Sequence, residues 1–203
     1  MALVAGNKTA EGGILDAVYL APFAAGDLTG TFQRQWPVPV RKWKASGATV
    51  QGRLIVAGGK DSFAPSKSVY SLLLDTLIWH REPDMGTARA SLTLTPIRCE
   101  GDMGVLAAGG VYDRGGNRLD SCEVLILGAD SWVPVSSLPQ AVWGHAATSV
   151  DNCNKVYITG GKTTEGGSNR ILCYNSNTKI WKPMADMIMS RAGHCMTNVG
   201  RHI

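Results

Sequence analysis

The strongest constraint on the fold is a glycine pair that recurs at a fixed interval. Each pair ends a short apolar run, and the pairs repeat every 51 residues. The six glycines are Gly58, Gly59, Gly109, Gly110, Gly160 and Gly161. A degenerate copy near the start of the chain ends the apolar residues 3–5 with Gly6. Self-similarity at such a period is typical of folds built from stacked, equivalent units.

The features that follow each glycine pair also recur in the same order. A loop rich in Gly, Ser, Asp and Asn precedes a strand-like stretch, which carries Glu123 in one copy and a tyrosine in the others. These tyrosines are Tyr19, Tyr70 and Tyr174. A tryptophan then falls 20, 22 and 20 residues after the second glycine, at Trp79, Trp132 and Trp181. The first copy has Phe32 in place of the tryptophan.

The pattern within each unit favours β-strands. The apolar residues form short runs separated by turn residues, and no segment shows a sustained helical period. We place the repeat units at approximately 3–53, 54–104, 105–155 and 156–203. Four short strands in a unit of about 50 residues are typical of a propeller blade. The sequence therefore predicts an all-β propeller with about four blades present in residues 1–203.

The glycine pair, the aromatic strand, the spaced tryptophan and a Met-x-x-x-Arg segment together resemble the kelch motif. The resemblance covers the chain from Leu3 to Ile203. Because kelch propellers most often resemble six-bladed rings, it implies that these four units are part of a larger ring. Open blade edges would then be available for association.

The repeated residues are expected to hold the blades together. Glycine pairs permit positive φ and close backbone approach. The resemblance implies that the tyrosines, Glu123 and the tryptophans pack between blades. It also implies that Arg89 and Arg191 satisfy carbonyls and carboxylates there, a role suited to the guanidinium group. His145 and His194 occupy equivalent repeat positions, so we interpret them as a repeat feature and not as a metal pair.

Composition restricts the class of partner. The net charge is only +4, and the one basic cluster, residues 41–44, is interpreted as a solvated strand end, so no nucleic-acid partner is expected. No apolar run approaches the ~20 residues of a membrane span. The five cysteines form no C-x-x-C pair, which predicts free thiols, no metal site and a cytoplasmic location. No cofactor is expected.

The resemblance implies a non-enzymatic module that binds a protein partner through its inter-strand loops. The candidate binding residues are Phe63, Arg114, Arg118 and Arg170, because aromatic and Arg side chains dominate interfaces. Kelch propellers joined to a BTB domain act as substrate receptors of cullin-3 ubiquitin ligases, and others are actin-binding or actin-crosslinking scaffolds. Both alternatives remain open.

A third alternative is an enzyme resembling galactose oxidase or the sialic-acid epimerases. The oxidase requires two His, two Tyr and a Cys cross-linked to one Tyr. Here Cys173 and Tyr174 are adjacent, so in a strand their side chains point to opposite faces. The residues therefore favour the binding module over the enzyme.

Overall fold

The computed structural model describes most of the chain. The described residues are 2–5, 18–21, 23–24, 27–28, 33–34, 39, 42–61 and 64–198, with side chains described for residue 39 and from residue 42 onward. Within these ranges there are nineteen β-strands and no helix. None of the described residues therefore belongs to a helix that could cross a bilayer. The predicted all-β fold is confirmed.

Five short strands precede residue 42. They are β1 (Ala2–Ala5), β2 (Val18–Ala21), β3 (Phe23–Ala24), β4 (Asp27–Leu28) and β5 (Gln33–Arg34). Strands β1, β2 and β5 form a three-stranded sheet, and β3 pairs with β4. The sheet coincides with the degenerate first repeat, and Tyr19 lies in β2 opposite Val4 of β1. Phe32 lies outside the described residues.

The rest of the described chain forms three four-stranded antiparallel sheets, which we name A, B and C. Sheet A contains β6 (Trp43–Val50), β7 (Arg53–Lys60), β8 (Val69–Leu73) and β9 (Trp79–Glu82). Sheet B contains β10 (Thr93–Cys99), β11 (Asp102–Ala108), β12 (Cys122–Ile126) and β13 (Val133–Val135). Sheet C contains β14 (Ala146–Val150), β15 (Lys155–Thr159), β18 (Ile171–Asn175) and β19 (Ile180–Pro183), with the hairpin β16 (Lys162–Thr163) and β17 (Gly166–Gly167) inserted.

Tight turns join the first two strands of sheets A and B. Gln51 and Gly52 connect β6 to β7 with φ of 45° and 73°, and Glu100 and Gly101 connect β10 to β11 with φ of 53° and 98°. Positive φ at both central residues defines the hairpin turn whose twist matches that of the strands. The X-Gly dipeptides at these turns therefore keep adjacent strands in register.

Each four-stranded sheet begins one strand earlier than the corresponding repeat unit that we placed from the sequence. Those units start at the strand before each glycine pair, whereas β7 pairs with the preceding strand β6 as well as with β8. Strands β10 and β14 are related to β11 and β15 in the same way. Each sheet thus takes its first strand from the preceding unit.

The first strands lie on the inside of the array, since β10 contacts both β6 and β14. Because the strands are antiparallel, their connections divide between two ends of the sheets. We call one end the loop face. It holds the described residues after the glycine pairs (60–61, 64–68, 111–121 and 162–170) and the connections between sheets (83–92 and 136–145). The opposite end, the turn face, holds the tight hairpin turns.

Two apolar cores lie between the three sheets. Alternate residues of a strand point to opposite faces, so sheet B contributes to both cores. Val105 and Leu125 of sheet B pack with Ile55 and Met85 on the side of sheet A. Leu106 and Val124 pack with Val156 and Tyr174 on the side of sheet C, among other residues. The four-stranded sheets with shared cores form a partial propeller, as predicted.

Candidate functional site on the loop face

The glycine pairs begin the loop face, and their backbone geometry requires glycine. The first glycines, Gly58, Gly109 and Gly160, have φ of 68°, 56° and 62°. A Cβ there would lie 2.5, 2.6 and 2.4 Å from a backbone carbonyl oxygen of the segment that follows the last strand of the same sheet. Those contacts are too short for any side chain. The pair therefore lets each loop fold back against the segment that leaves its own sheet.

Arg89 joins sheets A and B from within this connection. Its side chain is 1% exposed, and its Nε donates to Glu123 Oε1 at 2.9 Å. Its Nη1 donates to the carbonyl oxygens of Gly109 and Ser121 at 3.0 and 2.7 Å. The geometry matches the role that the kelch resemblance implied. Arg191, at the equivalent position, is exposed.

Tryptophan side chains link neighbouring sheets. Trp132 donates through Nε1 to the carbonyl oxygen of Pro83, and Trp181 donates to that of Ser136, both at 2.9 Å. Both side chains are 8% exposed. Trp79 is half-buried and packs against Leu54 and Leu72 on the other side of sheet A. Each buried tryptophan thus fills the gap to the preceding sheet and also bonds to it.

The strand register corrects the alignment of the tyrosines. Tyr70 lies opposite Val56, two residues before a glycine pair, and the residue in that register in sheet C is Leu172, opposite Ile158. Tyr174 lies two residues further along β18, where its ring centroid is 5.0 Å from that of Trp181. Tyr70 and Tyr174 therefore occupy different repeat positions. The sequence pattern does not reveal this difference, because a shift of two residues along a strand leaves a side chain on the same face.

His145 and His194 each bond to a threonine, but His145 is buried and His194 is half-buried. Their Nε2 atoms lie 2.9 Å from Thr93 Oγ1 and Thr159 Oγ1, respectively. Burial lowers the pKa of His145 to about 4, with a smaller contribution from His194. Burial also lowers the pKa of His194. The described residues contain no cluster of three His, Cys, Asp or Glu side chains that could hold a metal ion.

The structure places the described candidate binding residues on the loop face, in two loops. Arg114 is exposed within a loop of sheet B that Asp113 organises. Asp113 Oδ1 accepts the Asn117 backbone N–H at 2.9 Å, and Oδ2 accepts from Asn117 Nδ2 at 2.6 Å. These bonds hold the pKa of Asp113 below its usual value. Arg114 is therefore presented on an internally bonded loop.

Arg118 and Arg170 differ in burial. Arg118 is half-buried beside Val111, and its Nε has no hydrogen-bond partner among the described residues. Arg170 is exposed directly before β18, at the edge of a small cleft that Gln140 and Ser168 also line. Phe63 lies outside the described residues.

A group of lysines and tryptophans also lies on this face. Lys44 Nζ lies 4.6 Å from the ring centroid of Trp43 and 5.4 Å from that of Trp143. Lys162 Nζ lies 5.5 Å from the Trp143 centroid. These distances are within the ~6 Å of a cation–π contact. Burial, followed by repulsion from Lys60, lowers the pKa of Lys44. We call Trp43, Lys44, Trp143 and Lys162 the Lys–Trp cluster.

Sequence reasoning did not identify this cluster. From sequence alone, residues 41–44 are interpreted only as a solvated strand end. A usable signal was available, since Lys60 and Lys162 both follow a glycine pair directly, and each lies opposite a tryptophan. Repeat position, rather than proximity in sequence, would have grouped them.

The chain resembles known proteins over most of its length. The family model described as Kelch motif matches residues 144–188. Kelch-like protein 36 of Bos taurus is 30% identical over 177 residues, covering 84% of this chain and 27% of the relative. Beta-scruin of Limulus polyphemus is 29% identical over 150 residues, 67% of this chain and 16% of the relative.

A third relative is a kelch repeat and BTB domain-containing protein, F47D12.7, of Caenorhabditis elegans. It is 28% identical over 151 residues, which cover 72% of this chain and 25% of the relative. This chain therefore spans about a quarter or less of the length of these relatives.

Repeated four-stranded sheets joined by buried residues, with the connecting loops at one end, define a partial β-propeller. The glycine, tryptophan and arginine positions and the matching relatives specify the family. The chain belongs to the kelch-repeat β-propeller family.

Proposed function

We propose that this chain binds a protein partner through its loop face and has no enzymatic activity of its own. One observation carries the proposal, namely the contrast between two kinds of arginine. Arg89 is buried and joins two sheets, whereas Arg114 and Arg170 are exposed on the loop face. Exposed arginines on loops fixed by a rigid scaffold are suited to partner recognition.

We further propose that the partner is a substrate delivered to a cullin-3 ubiquitin ligase in the cytoplasm. The similarity to a kelch repeat and BTB domain-containing protein supports this choice. The cytoplasm is consistent with the five cysteines, all described as free thiols. The alternative partner is actin, for a scaffold that binds or crosslinks filaments.

Two charge-reversed variants test the use of the loop face. Arg114→Glu combined with Arg170→Glu alters the loop face, and Lys155→Glu combined with Lys179→Glu makes the same change of charge elsewhere. We expect proteins that co-purify with the full-length protein from its native cells to be lost with the first variant and retained with the second. Equal recovery with both variants would overturn the proposal.

Two further measurements separate the candidate partners. Co-precipitation of cullin-3, together with a fall in ubiquitination of the recovered partner when this protein is depleted, supports the substrate receptor. Co-sedimentation with filamentous actin that depends on Arg114 and Arg170 supports the scaffold instead. Turnover of a sugar substrate by the purified protein would contradict the non-enzymatic proposal.

A further inference from the structure

Four lysines of this chain have different partners at the two ends of the sheets. Near the turn face, Lys179 Nζ lies 2.9 Å from Glu100 Oε1, and Lys155 Nζ lies 3.1 Å from Asp151 Oδ2. On the loop face, the charged ends of Lys44 and Lys162 instead lie over indole rings. No carboxylate pairs with these two lysines in the part of the chain that the structure describes.

The backbone holds these two lysines in place. Lys162 exchanges two backbone hydrogen bonds with Trp143, at 3.2 and 2.8 Å. The carbonyl oxygen of Lys44 accepts the Ser91 N–H at 2.9 Å, and Ser91 in turn accepts from Gly144, beside Trp143. A chain of backbone bonds thus connects both lysines to the Trp143 segment across three sheets. The cluster is pre-organised by the scaffold.

Both ammonium groups share one aromatic ring. The Nζ atoms of Lys44 and Lys162 lie 5.4 and 5.5 Å from the Trp143 centroid, so both charges lie beside the same ring. An anion placed beside this ring would be attracted by both ammonium groups. Arg118 adds a third cation in the neighbouring loop, beside the apolar Val111. Positive charge and apolar surface thus lie side by side at Trp143 and at Val111.

We infer that the Lys–Trp cluster binds an acidic segment of the protein partner, with carboxylates near Lys44 and Lys162 and aliphatic groups against Trp143. The inference rests on the proposed function and names the chemistry of its partner. Charge complementarity favours carboxylates, and the tryptophans favour a chain that also carries apolar atoms. A nucleic acid would need a longer basic stripe than these few cations provide.

Fluorescence anisotropy with the full-length protein tests this inference. The probe is a short labelled peptide of alternating Glu and Gly, compared with the Gln–Gly peptide of the same length. The matched variants are Lys162→Glu in the cluster and Lys182→Glu on β19, two exposed lysines with the same change of charge. Trp143→Leu tests the aromatic contribution separately.

We expect the Glu–Gly peptide to bind in preference to the Gln–Gly peptide, and less tightly as salt is raised. Lys162→Glu should weaken binding about tenfold or more, whereas Lys182→Glu should leave it unchanged. Trp143→Leu should also weaken it. Equal effects of the two charge reversals, or equal binding of a labelled oligothymidylate, would overturn the inference.

Failure of this inference can be distinguished from failure of the proposed function. If the Glu–Gly peptide does not bind but the Arg114→Glu, Arg170→Glu variant still loses co-purifying proteins, the acidic partner is wrong and loop-face binding stands. If neither loop-face change affects any partner, the proposed function itself fails.

Discussion

The interface between sheets A and B and the interface between sheets B and C have the same backbone and different chemistry. In the first, Arg89 forms a buried ion pair with Glu123. The backbone carbonyl oxygen of Arg89 accepts the N–H of Gly59. In the second interface the carbonyl oxygen of Val142 accepts the N–H of Gly110, so Val142 is the counterpart of Arg89. The register of the strands places Leu172 where the first has Glu123. A buried ion pair is thus replaced by two apolar side chains.

A second position shows the opposite distribution, with an apolar side chain in the first interface and a polar one in the second. Leu92 lies 3.0 Å from the Cβ that Gly58 would carry, and His145 lies 2.9 Å from that of Gly109. The first interface is therefore apolar at this position, whereas the second holds a histidine bonded to Thr93. The comparison teaches that the repeat specifies the backbone contacts, while the side chains that fill each interface vary as compensated sets.

The largest expected effect comes from a substitution that removes only the cation of the buried ion pair. Arg89→Val introduces the residue type of the second interface but leaves the Glu123 carboxylate buried without its cation. We expect the free energy of unfolding to fall by about 3–5 kcal/mol. Urea unfolding followed by far-UV circular dichroism measures it. A loss below about 1 kcal/mol would show that the pair contributes little, as surface pairs do.

The next effect concerns pH and the second interface. Burial lowers the pKa of His145 to about 4, from an ordinary value of 6.5. As pH falls below 6.5, the unfolded chain takes up the proton first, so stability should be lost between pH 6.5 and 4. The loss is on the order of 3 kcal/mol for a shift of this size.

His145→Leu, which copies Leu92 of the first interface, provides the control. Between pH 7 and pH 4.5 this variant should become more stable relative to the wild type, because it has no imidazole to protonate. The measurement is the difference between the two unfolding free energies at pH 7 and at pH 4.5. An unchanged difference across this range would contradict the buried, neutral histidine.

A smaller effect is expected when the ion pair is replaced as a set. Arg89→Val with Glu123→Leu removes both charges, so most of the loss caused by Arg89→Val should be recovered. The Gly86 N–H, which donates to Glu123 Oε2 at 2.7 Å, then lacks an acceptor. We expect a residual loss of about 1–3 kcal/mol.

The second interface explains this residual loss and supplies the remaining change. Pro139 lies three residues before Val142, as Gly86 lies three residues before Arg89. Pro139 therefore corresponds to Gly86, and it carries no N–H. Adding Gly86→Pro should therefore improve the double variant. If the double variant is as unstable as Arg89→Val alone, the two interfaces are not interchangeable.

The smallest effect should be the same at both interfaces. Trp132→Phe and Trp181→Phe each remove one hydrogen bond to a carbonyl of the preceding sheet while retaining an aromatic ring. We expect each to reduce stability by about 1 kcal/mol. Parallel denaturant titrations compare them. A large difference between the two would show that the tryptophans are not equivalent.

Repeat position made part of the structure predictable. The equal spacing of the glycine pairs predicted the four-stranded sheets, and the tryptophan spacing identified the positions that Trp132 and Trp181 fill between sheets. The register of Tyr70 was not predictable in the same way, because a shift of two residues leaves the pattern of buried and exposed positions unchanged.

The candidate site shows the same division between local and distant information. The loops with Arg114 and Arg170 could be located because they follow the glycine pairs directly. The contact of Lys44 with Trp143 joins residues almost two repeats apart, and composition at either place gives no indication of the other. Only the packing of successive sheets brings the two side chains together.

The sequence by itself determined the repeat, the strand content and the need for glycine where the backbone turns with positive φ. These follow from local physics, since steric limits on φ and the alternation of side chains act over a few residues. The tertiary structure alone decided that Arg89 pairs with Glu123 while their counterparts Val142 and Leu172 are apolar, and that two lysines meet on one indole. Such contacts depend on which sheet faces which, and burial then determines the charge state that each group can keep.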